Sequence, residues 1–303
     1  MLTLALDIGG TKIAVGLVDP SGQLVHTAIC PTPKSQDPDR VWVVIEQMIA
    51  DAVTNAEGPI SAVGIGSAGP VDVSAGTVSP VNIPEWQGFP LRDRVAAAMT
   101  GVPVQLGGDG VCMALAEHWL GAGRGVDFML GMVVSTGVGG GLVLNGKPYT
   151  GRTGNAGHVG HVVVDPDGPL CHCGGRGCVE TFAAGPWMTR WALDNGWTGP
   201  PDADAEALAD AAAAGDSVAV HAFHRGATAL AAMIASVGAA CDLDLVVIGG
   251  GVAKAGPILF DPLRVALANY AGLSFIRGLR VVPAALGGDA GLIGAAALVS
   301  SVT

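Results

Sequence analysis

Three of the six cysteines in the chain, Cys171, Cys173 and Cys178, fall within eight residues, and His161 stands ten residues before the first of them. Thiolate and imidazole groups build tetrahedral zinc sites in proteins, and a closed set of four such ligands is typical of structural zinc. Glycines between the cysteines let the backbone turn tightly around one ion. These four residues therefore predict a structural zinc site. His172 is a competing ligand by position, although a residue squeezed between two ligands usually points away.

Two further polar residues flank this cluster. His158 precedes His161 by three positions, and residues three apart in an extended segment point to opposite faces. One histidine would then bind metal while the other faces a pocket. Glu180 follows the last cysteine by two residues, so a loop fixed by metal would carry its carboxylate toward a ligand. The alternatives are an ordinary loop histidine at 158 and a solvated surface carboxylate at 180.

A glycine turn, Asp7-Ile8-Gly9-Gly10-Thr11-Lys12, follows a buried strand predicted over residues 2–6. Backbone N–H groups in such a turn face an anion at close range. Thr11 adds a hydroxyl donor, and the Asp7 carboxylate suits Mg²⁺, directly or through water. The turn is neither a P-loop nor a dinucleotide fingerprint, because a strand over residues 13–18 follows where a helix is required. The alternative is a simple β-hairpin turn.

A matching arrangement recurs roughly 125 residues later. A strand is predicted over residues 129–134, a glycine turn over Ser135-Thr136-Gly137-Val138-Gly139-Gly140-Gly141, and a second strand over residues 142–144. Two such turns suggest two similar halves, with two hairpins that clamp a polyphosphate from opposite sides. A third turn, Gly249-Gly250-Gly251, follows a strand predicted over residues 245–248.

Asp109 lies in Leu106-Gly107-Gly108-Asp109-Gly110, between a predicted strand and a helix predicted over residues 111–120. A carboxylate in such a loop can accept a proton from a substrate hydroxyl. The alternative is an aspartate that caps the helix N-terminus, a role worth about 1 kcal/mol.

The composition restricts the partners and the compartment. The net charge of −11 and the lack of a Lys/Arg cluster disfavour nucleic acid, whose binding requires excess positive charge. No apolar run reaches the roughly 18–20 residues of a membrane span, and residues 1–6 lack the charged start of a signal peptide. We therefore expect a cytoplasmic protein with reduced thiols and no nucleic-acid or membrane partner. Further helices are predicted over residues 41–55, 205–214, 218–241 and 291–299, and further strands over 61–65 and 281–282.

Together these motifs resemble the ROK family of sugar kinases, and the match runs nearly from end to end. The most specific feature is the zinc motif with its preceding Gly-His. The other matching segments are the turns at 7–12 and 135–141, Gly66-Ser67-Ala68-Gly69-Pro70-Val71-Asp72, the sugar loop Asn82-Ile83-Pro84-Glu85-Trp86, and Gly249-Gly250-Gly251-Val252.

The resemblance implies an actin-like or hexokinase-like (ribonuclease H-like) ATPase fold, in which two α/β domains with mixed five-stranded sheets surround a cleft. Residues 1–109 with 288–303 would form the smaller domain, and residues 110–287 the larger one with the zinc knuckle. The implied activity is phosphoryl transfer from MgATP to the 6-hydroxyl of a hexose in glycolysis. A homodimer or homotetramer is the assembly that the family implies.

The resemblance also assigns roles by position, with Asp109 as the general base. The sugar-binding positions are Gly69, Asn82, Asp109, His158, His161 and Glu180. The positions next to phosphate, Mg²⁺ or adenosine are Asp7, Gly9, Gly10, Thr11, Lys12, Thr136, Gly137, Gly250 and Gly251. The implied cofactors are ATP, a transient Mg²⁺, and structural Zn²⁺ on His161, Cys171, Cys173 and Cys178.

Two positions depart from the family pattern. Gly108 stands where the residue before the base is usually an Asn that hydrogen-bonds the sugar. His158 stands where many family glucokinases have Glu, and it resembles bacterial N-acetylmannosamine kinases, as does Asp165-Pro166-Asp167-Gly168-Pro169. The sugar loop at residues 82–86 instead resembles glucokinases. We expect glucose as the substrate, with N-acetylmannosamine as the alternative, and polyphosphate as a donor is left open.

Two non-catalytic alternatives fit the sequence less well. A sugar-sensing protein without turnover would explain Gly108, but the intact Asp109 argues against it. A DNA-binding regulator of this family would carry a winged helix–turn–helix ahead of the first strand, whereas here the strand begins at residue 2 and the chain is acidic.

Overall fold

The computed structural model describes residues 1–300. They form two compact units, the first from Met1–Arg124, Lys147–Ala156 and the segment that begins at Gly288, and the second from Gly125–Gly146 and Gly157–Gly287. Residues 301–303, which we assigned to the smaller domain, lie outside the described residues. The boundary expected between residues 109 and 110 instead follows residue 124, because the helix that begins at Asp109 packs on the C-terminal helix of the first unit.

The bounds of the regular elements are as follows. The strands are β1 (Leu2–Ile8), β2 (Lys12–Val18), β3 (Leu24–Pro31), β4 (Ile60–Ser67), β5 (Val71–Asp72), β6 (Thr77–Val78), β7 (Val104–Gly108), β8 (Phe128–Val134), β9 (Val138–Leu144), β10 (Lys147–Tyr149), β11 (Leu245–Gly249) and β12 (Arg280–Pro283). The α-helices are α1 (Pro38–Thr54), α2 (Leu91–Ala98), α3 (Asp109–Trp119), α4 (Glu180–Ala183), α5 (Gly185–Asp194), α6 (Ala205–Ala213), α7 (Ser217–Cys241), α8 (Pro257–Tyr270) and α9 (Ala290–Ser300).

The two five-stranded sheets have the same topology. The first has the order β3-β2-β1-β4-β7, and the second β10-β9-β8-β11-β12. In the first sheet β1 is antiparallel to β2 and parallel to β4, and β4 is parallel to β7. In the second sheet β8 is antiparallel to β9 and parallel to β11, which is parallel to β12. This repetition agrees with the two similar halves expected from the matching turns.

Parallel pairing decides which turns meet. The carboxyl ends of parallel strands lie at one edge of a sheet, where α/β proteins bind their ligands. The turns after β1, β4 and β7 therefore share one edge of the first sheet, and the turns after β8 and β11 share one edge of the second. Most positions of β1, β4, β8 and β11 are buried, as expected for strands covered on both faces.

Helix α7 corrects one expectation from the sequence. Its 25 residues are long and apolar enough to cross a membrane by length and composition, although we found no apolar run of that length. His and Arg residues interrupt the apolar run of the sequence, but the mean hydropathy of the helix stays high enough for a membrane span. The helix starts where the Asp216 carboxylate accepts the N–H groups of Val218 and Ala219, each at 2.9 Å. Since 61% of its most apolar stretch is buried, α7 serves as a core helix of the second unit.

Candidate active-site residues and metal cluster

The carboxyl edge of the first sheet brings together the predicted residues of that unit. Ile8 of β1 pairs with Ser67 of β4, and Ser67 pairs with Gly108 of β7. The residues that follow these three strand ends include Gly9, Gly69 and Asp109. Segments more than 30 residues apart in sequence thus meet at one edge because their strands are parallel neighbours.

The turn between β1 and β2 is held by its own backbone and by Thr32. Gly9 N–H donates to the carbonyl of Lys12 at 3.0 Å. The Thr32 hydroxyl donates to the carbonyl of Gly9 at 2.6 Å, and the Thr32 N–H donates to the carbonyl of Thr11 at 3.0 Å. Thr11 and Lys12 are exposed. The turn is therefore a β-hairpin, as in the simpler alternative, and it still presents a hydroxyl and an ammonium group to solvent.

Asp7 lies at the end of β1, half-buried behind this turn. The pKa of its carboxyl is raised from 3.8 to about 6, mainly by burial and also by the negative charge of Asp109, while the ammonium group of Lys12 opposes both effects. Helix α9 contributes to the burial, since a Cβ added at Gly291 would overlap the Asp7 carboxylate. A carboxylate that is costly to ionise gains from a cation beside it, which suits the expected role next to Mg²⁺.

The predicted sugar loop packs against the same turn. Gly10 lies so close to Asn82 that an added Cβ would overlap the Cβ of Asn82. The loop is anchored by Trp86, which is fully buried, stacks on Phe89 at a centroid distance of 4.0 Å and donates from its indole N–H to the carbonyl of Pro38 at 3.0 Å. Asn82 itself is exposed. Trp86 is therefore a core residue that anchors the loop, and Asn82 is the residue that the loop presents to solvent.

Asp109 is the first residue of α3, one position beyond the residue that caps the helix. The cap is Gly108, which forms no side-chain cap bond. Asp109 is exposed, and its Oδ1 accepts the N–H of Gly110 at 2.7 Å. A Cβ added at Gly108 would meet nothing within 4 Å. Asp109 is therefore not the residue that caps the helix. The space that the side chain of the usual family Asn would enter at position 108 is open.

The second sheet presents two glycine turns at one edge. In the turn after β8, Ser135 N–H donates to the carbonyl of Gly137 at 2.9 Å, and Thr136 is exposed. In the turn after β11, Gly250 has φ of +96°, which favours glycine, and its backbone lies against the carbonyl of Val134. A Cβ at Gly251 would contact Ser135 Oγ. The structure thus brings Thr136, Gly137, Gly250 and Gly251 together in the second unit.

The four predicted zinc ligands also come together. The ligand atoms of His161, Cys171, Cys173 and Cys178 all lie within 4.8 Å of one another. The Sγ atoms of Cys173 and Cys178 are 3.7 Å apart, and Cys171 Sγ is 3.8 Å from His161 Nδ1. Two thiolates that share tetrahedral zinc at about 2.3 Å are roughly 3.8 Å apart. The donor set and its spacing therefore fit a zinc ion, as expected from the sequence.

Tight turns between the cysteines create this spacing. The N–H of Cys171 donates to the carbonyl of Gly175 at 2.8 Å, and Gly174 has φ of +87°. The N–H of Gly175 donates to Cys173 Sγ, which lowers the pKa of that thiol, whereas burial raises the pKa of Cys178 to about 12. His172 points away as expected, with its ring 5.4 Å from that of Trp187.

The segment that carries the two histidines is not extended. Residues Val159–His161 form a 3₁₀ helix with His158 at its N-terminal cap. His161 belongs to the metal cluster and His158 does not, and a pocket facing His158 stays a prediction. The separation arises from a helical turn and not from strand alternation.

Glu180 connects the metal cluster with the turn after β8. Its Oε2 accepts the N–H of Val138 at 2.9 Å, and its Oε1 lies 3.8 Å from Cys171 Sγ. A Cβ added at Gly137 would approach Oε2 to 2.8 Å. Glu180 is only half-buried, but its carboxylate is engaged with backbone, so the surface-carboxylate alternative does not apply.

Sequence reasoning missed Thr32 and Gly185 as supports of the turns. Thr32 bonds the first turn from 23 residues away, and the N–H of Gly185 donates to the carbonyl of Ser135 at 2.8 Å. Neither residue belongs to a motif, and nothing in the local sequence indicates these long-range contacts.

Residues 3–302 match the model of the ROK family. The chain belongs to the ROK family. A glucokinase from Thermotoga maritima is 38% identical over 310 residues, which cover 98% of this chain and 96% of that protein. The N-acetylmannosamine kinase of Yersinia pestis is 37% identical over 294 residues, which cover 97% of this chain and 96% of that protein.

Solved ROK structures give the same result for the fold. A ROK family glucokinase from Streptomyces griseus, in complex with glucose and AMPPNP, superposes with a TM-score of 0.81 at 35% identity. The alignment covers 98% of this chain and 99% of that one. The two sheets of this ROK chain, with their repeated strand order, are accordingly those of the actin-like, hexokinase-like ATPase fold.

Proposed function

We propose that this ROK protein is an ATP-dependent hexose kinase that phosphorylates the 6-hydroxyl of glucose. The observation that carries the proposal is the exposed Asp109 carboxylate, which stands at the carboxyl edge of the first sheet beside Asp7 and the turn that presents Thr11 and Lys12. A base and a phosphate-binding turn at one sheet edge are what phosphoryl transfer needs, since this reaction depends mainly on positioning and charge stabilisation.

In the proposed reaction, Asp109 accepts the proton of the sugar 6-hydroxyl while that oxygen attacks the γ-phosphorus of ATP. The new O6–P bond forms as the bond to the β–γ bridging oxygen breaks, and ADP leaves. Asn82, Gly69, His158, His161 and Glu180 are proposed to hold the sugar. Gly9, Gly10, Thr11, Lys12, Thr136 and Gly137 are proposed to hold the phosphates.

The remaining cofactor assignments follow the same reasoning. Asp7 is proposed to lie next to the Mg²⁺ that arrives with ATP, and Gly250 and Gly251 next to adenosine. Zinc on His161, Cys171, Cys173 and Cys178 is proposed as structural, because the four protein ligands leave no open position for chemistry. A cytoplasmic location, a role in glycolysis and a homodimer or homotetramer belong to the proposal on the basis of family membership.

N-acetylmannosamine is the second candidate substrate. His158 stands where many family glucokinases have Glu, and the open space at Gly108 leaves room beside the base. A relative named as an N-acetylmannosamine kinase is nearly as similar to this chain as the glucokinase relative.

A coupled assay of ADP formation tests the proposal on the purified protein. Glucose, mannose, N-acetylglucosamine and N-acetylmannosamine are each varied in concentration with ATP as the donor. With polyphosphate as the donor, the sugar phosphate formed is measured instead, because that reaction releases no ADP. Glucose with the highest kcat/KM supports the proposal, and N-acetylmannosamine with the highest value supports the second candidate. ADP formation that does not depend on any of these sugars would overturn both.

A further inference from the structure

The turn after β8 is held from three sides by segments that flank the metal cluster. The Glu180 carboxylate accepts the N–H of Val138 at 2.9 Å. The N–H of Gly185 donates to the carbonyl of Ser135 at 2.8 Å, at the other end of the turn. Gly160 lies against Val138, so that an added Cβ would overlap the Val138 carbonyl. The conformation of residues 135–138 therefore depends on where these three segments lie.

Each supporting residue is close in sequence to a ligand of the cluster. Gly160 precedes His161, Glu180 follows Cys178 by two residues, and Gly185 follows the four-residue helix α4 that Glu180 begins. The segments that carry His161 and Cys178 also bond each other, because the N–H of Val179 donates to the carbonyl of Val162 at 2.9 Å. An ion held by both segments would fix the distance between the supports of the turn.

We propose that Glu180 is a positioning residue for the nucleotide: its bond to Val138 couples the metal cluster to the phosphate-binding turn, so that zinc and nucleotide strengthen each other's binding in the absence of sugar. This inference rests on the proposed role of Thr136 and Gly137 in holding phosphate. It adds to the sugar contact proposed for Glu180, because the bond to Val138 uses one carboxylate oxygen in the free protein.

Thermodynamic linkage makes the coupling reciprocal. If zinc increases the affinity for ADP by some factor, then ADP increases the affinity for zinc by the same factor, and such factors typically lie between about 5 and 150. A role of Glu180 toward sugar alone would leave ADP binding without sugar unchanged.

The test measures the dissociation constant of MgADP by calorimetry without sugar, on zinc-loaded wild-type, Glu180→Ala and Glu180→Gln proteins, with zinc content determined on the same samples. We expect about tenfold weaker binding for Glu180→Ala. We expect a smaller loss for Glu180→Gln, because a neutral amide oxygen still accepts the Val138 N–H but without the assistance of charge. Glu206→Gln, which neutralises an exposed glutamate of the same unit, is expected to bind MgADP like wild type.

The second arm removes zinc from each protein with a chelator and repeats the titration. On zinc removal, the MgADP affinity of wild type is expected to fall by about the same factor as the Glu180→Ala substitution causes in the zinc-loaded protein. The MgADP affinity of Glu180→Ala is expected to fall little further when its zinc is removed. If Glu180→Ala itself does not retain zinc, Glu180→Gln takes its place in both arms. Equal MgADP affinity of the zinc-loaded wild type and the Glu180 variants would overturn the inference while leaving the proposed function intact. A wild-type protein that does not bind MgADP would overturn the proposed function as well.

Discussion

Gly10 of the first turn lies directly against Asn82 of the sugar loop, with no room for a Cβ between them. The φ of Gly10 is not in the left-handed region, so the backbone conformation does not require glycine here. The close approach of Asn82 does. A residue proposed to hold phosphate and a residue proposed to hold sugar are thus in van der Waals contact.

We expect Gly10→Ala to lower kcat/KM at least tenfold and to destabilise the first unit, because the new methyl group must displace Asn82 or the turn. In a double-mutant cycle, Asn82→Gly removes the obstructing Cβ and is expected to recover much of the lost stability. Gly58→Ala is the matched control, since a Cβ there meets nothing within 4 Å. Urea unfolding measures the stabilities, and additive effects of Gly10→Ala and Asn82→Gly would contradict the contact.

Asp109→Asn is expected to lower kcat about 10²- to 10⁴-fold, since a proton acceptor at the reacting hydroxyl is lost. Sugar binding and Tm should remain close to wild type, because Asp109 is exposed and an amide oxygen can still accept the Gly110 N–H. Asp93→Asn, another exposed carboxylate of the same unit, serves as the control. Retention of a tenth or more of the wild-type kcat would exclude Asp109 as the base.

The pKa of Asp7 predicts a pH-dependent stability. Because burial, together with the negative charge of Asp109, raises this pKa from 3.8 to about 6, ionising Asp7 costs more in the folded than in the unfolded chain. The cost is absent below about pH 3.8, grows up to about pH 6, and above that amounts to on the order of 3 kcal/mol. Asp7→Asn is therefore expected to raise the free energy of unfolding at pH 8 and to change it little at pH 4.

Urea titrations of Asp7→Asn at both pH values, without nucleotide or Mg²⁺, measure this effect. Asp19→Asn is expected to change the free energy of unfolding in the opposite direction. Hydrogen bonds to the Asp19 carboxylate, above all the one from the Ser21 hydroxyl, lower the pKa of Asp19. That variant should lose stability at pH 8 and less at low pH. A stabilisation by Asp7→Asn that is as large at pH 4 as at pH 8 would show that the cost of ionisation is not its cause.

Cys173→Ser is expected to reduce the zinc content well below one ion per chain and to lower Tm by about 5 °C or more, since structural zinc contributes folding free energy. Elemental analysis and thermal unfolding measure the two quantities. Cys241→Ser, at an isolated and half-buried thiol, should leave zinc unchanged. Wild-type protein purified without chelators and found free of zinc would refute the site.

His158→Glu is expected to change the ratio of kcat/KM for glucose to that for N-acetylmannosamine about tenfold, because it exchanges an imidazole for the carboxylate found in many family glucokinases. His172→Gln is the control, since His172 faces Trp187 and not the metal cluster. Steady-state kinetics with both sugars give the ratio, and an unchanged ratio for His158→Glu removes this residue from the choice of substrate.

Local sequence was sufficient for much of the fold. Both glycine turns were expected between strands, and both are hairpins, β1–β2 and β8–β9. The candidate zinc ligands are also predicted by local sequence, because three of them are within eight residues and the turns between them are set by neighbouring glycines. In contrast, the sequence predicts an extended segment where Val159–His161 form a 3₁₀ helix. Its short run of apolar residues and glycine fits either conformation, and packing decides between them.

The sequence by itself determined the family and the fold class, and it predicted the metal ligands and the base, because these depend on residue types at short spacing. Only the tertiary structure decided that α3 belongs to the first unit, that Gly10 contacts Asn82 and that Glu180 bonds Val138. These contacts join residues 42 or more positions apart, as for Glu180 and Val138. Strand pairing and packing bring such residues together, and no local pattern encodes them.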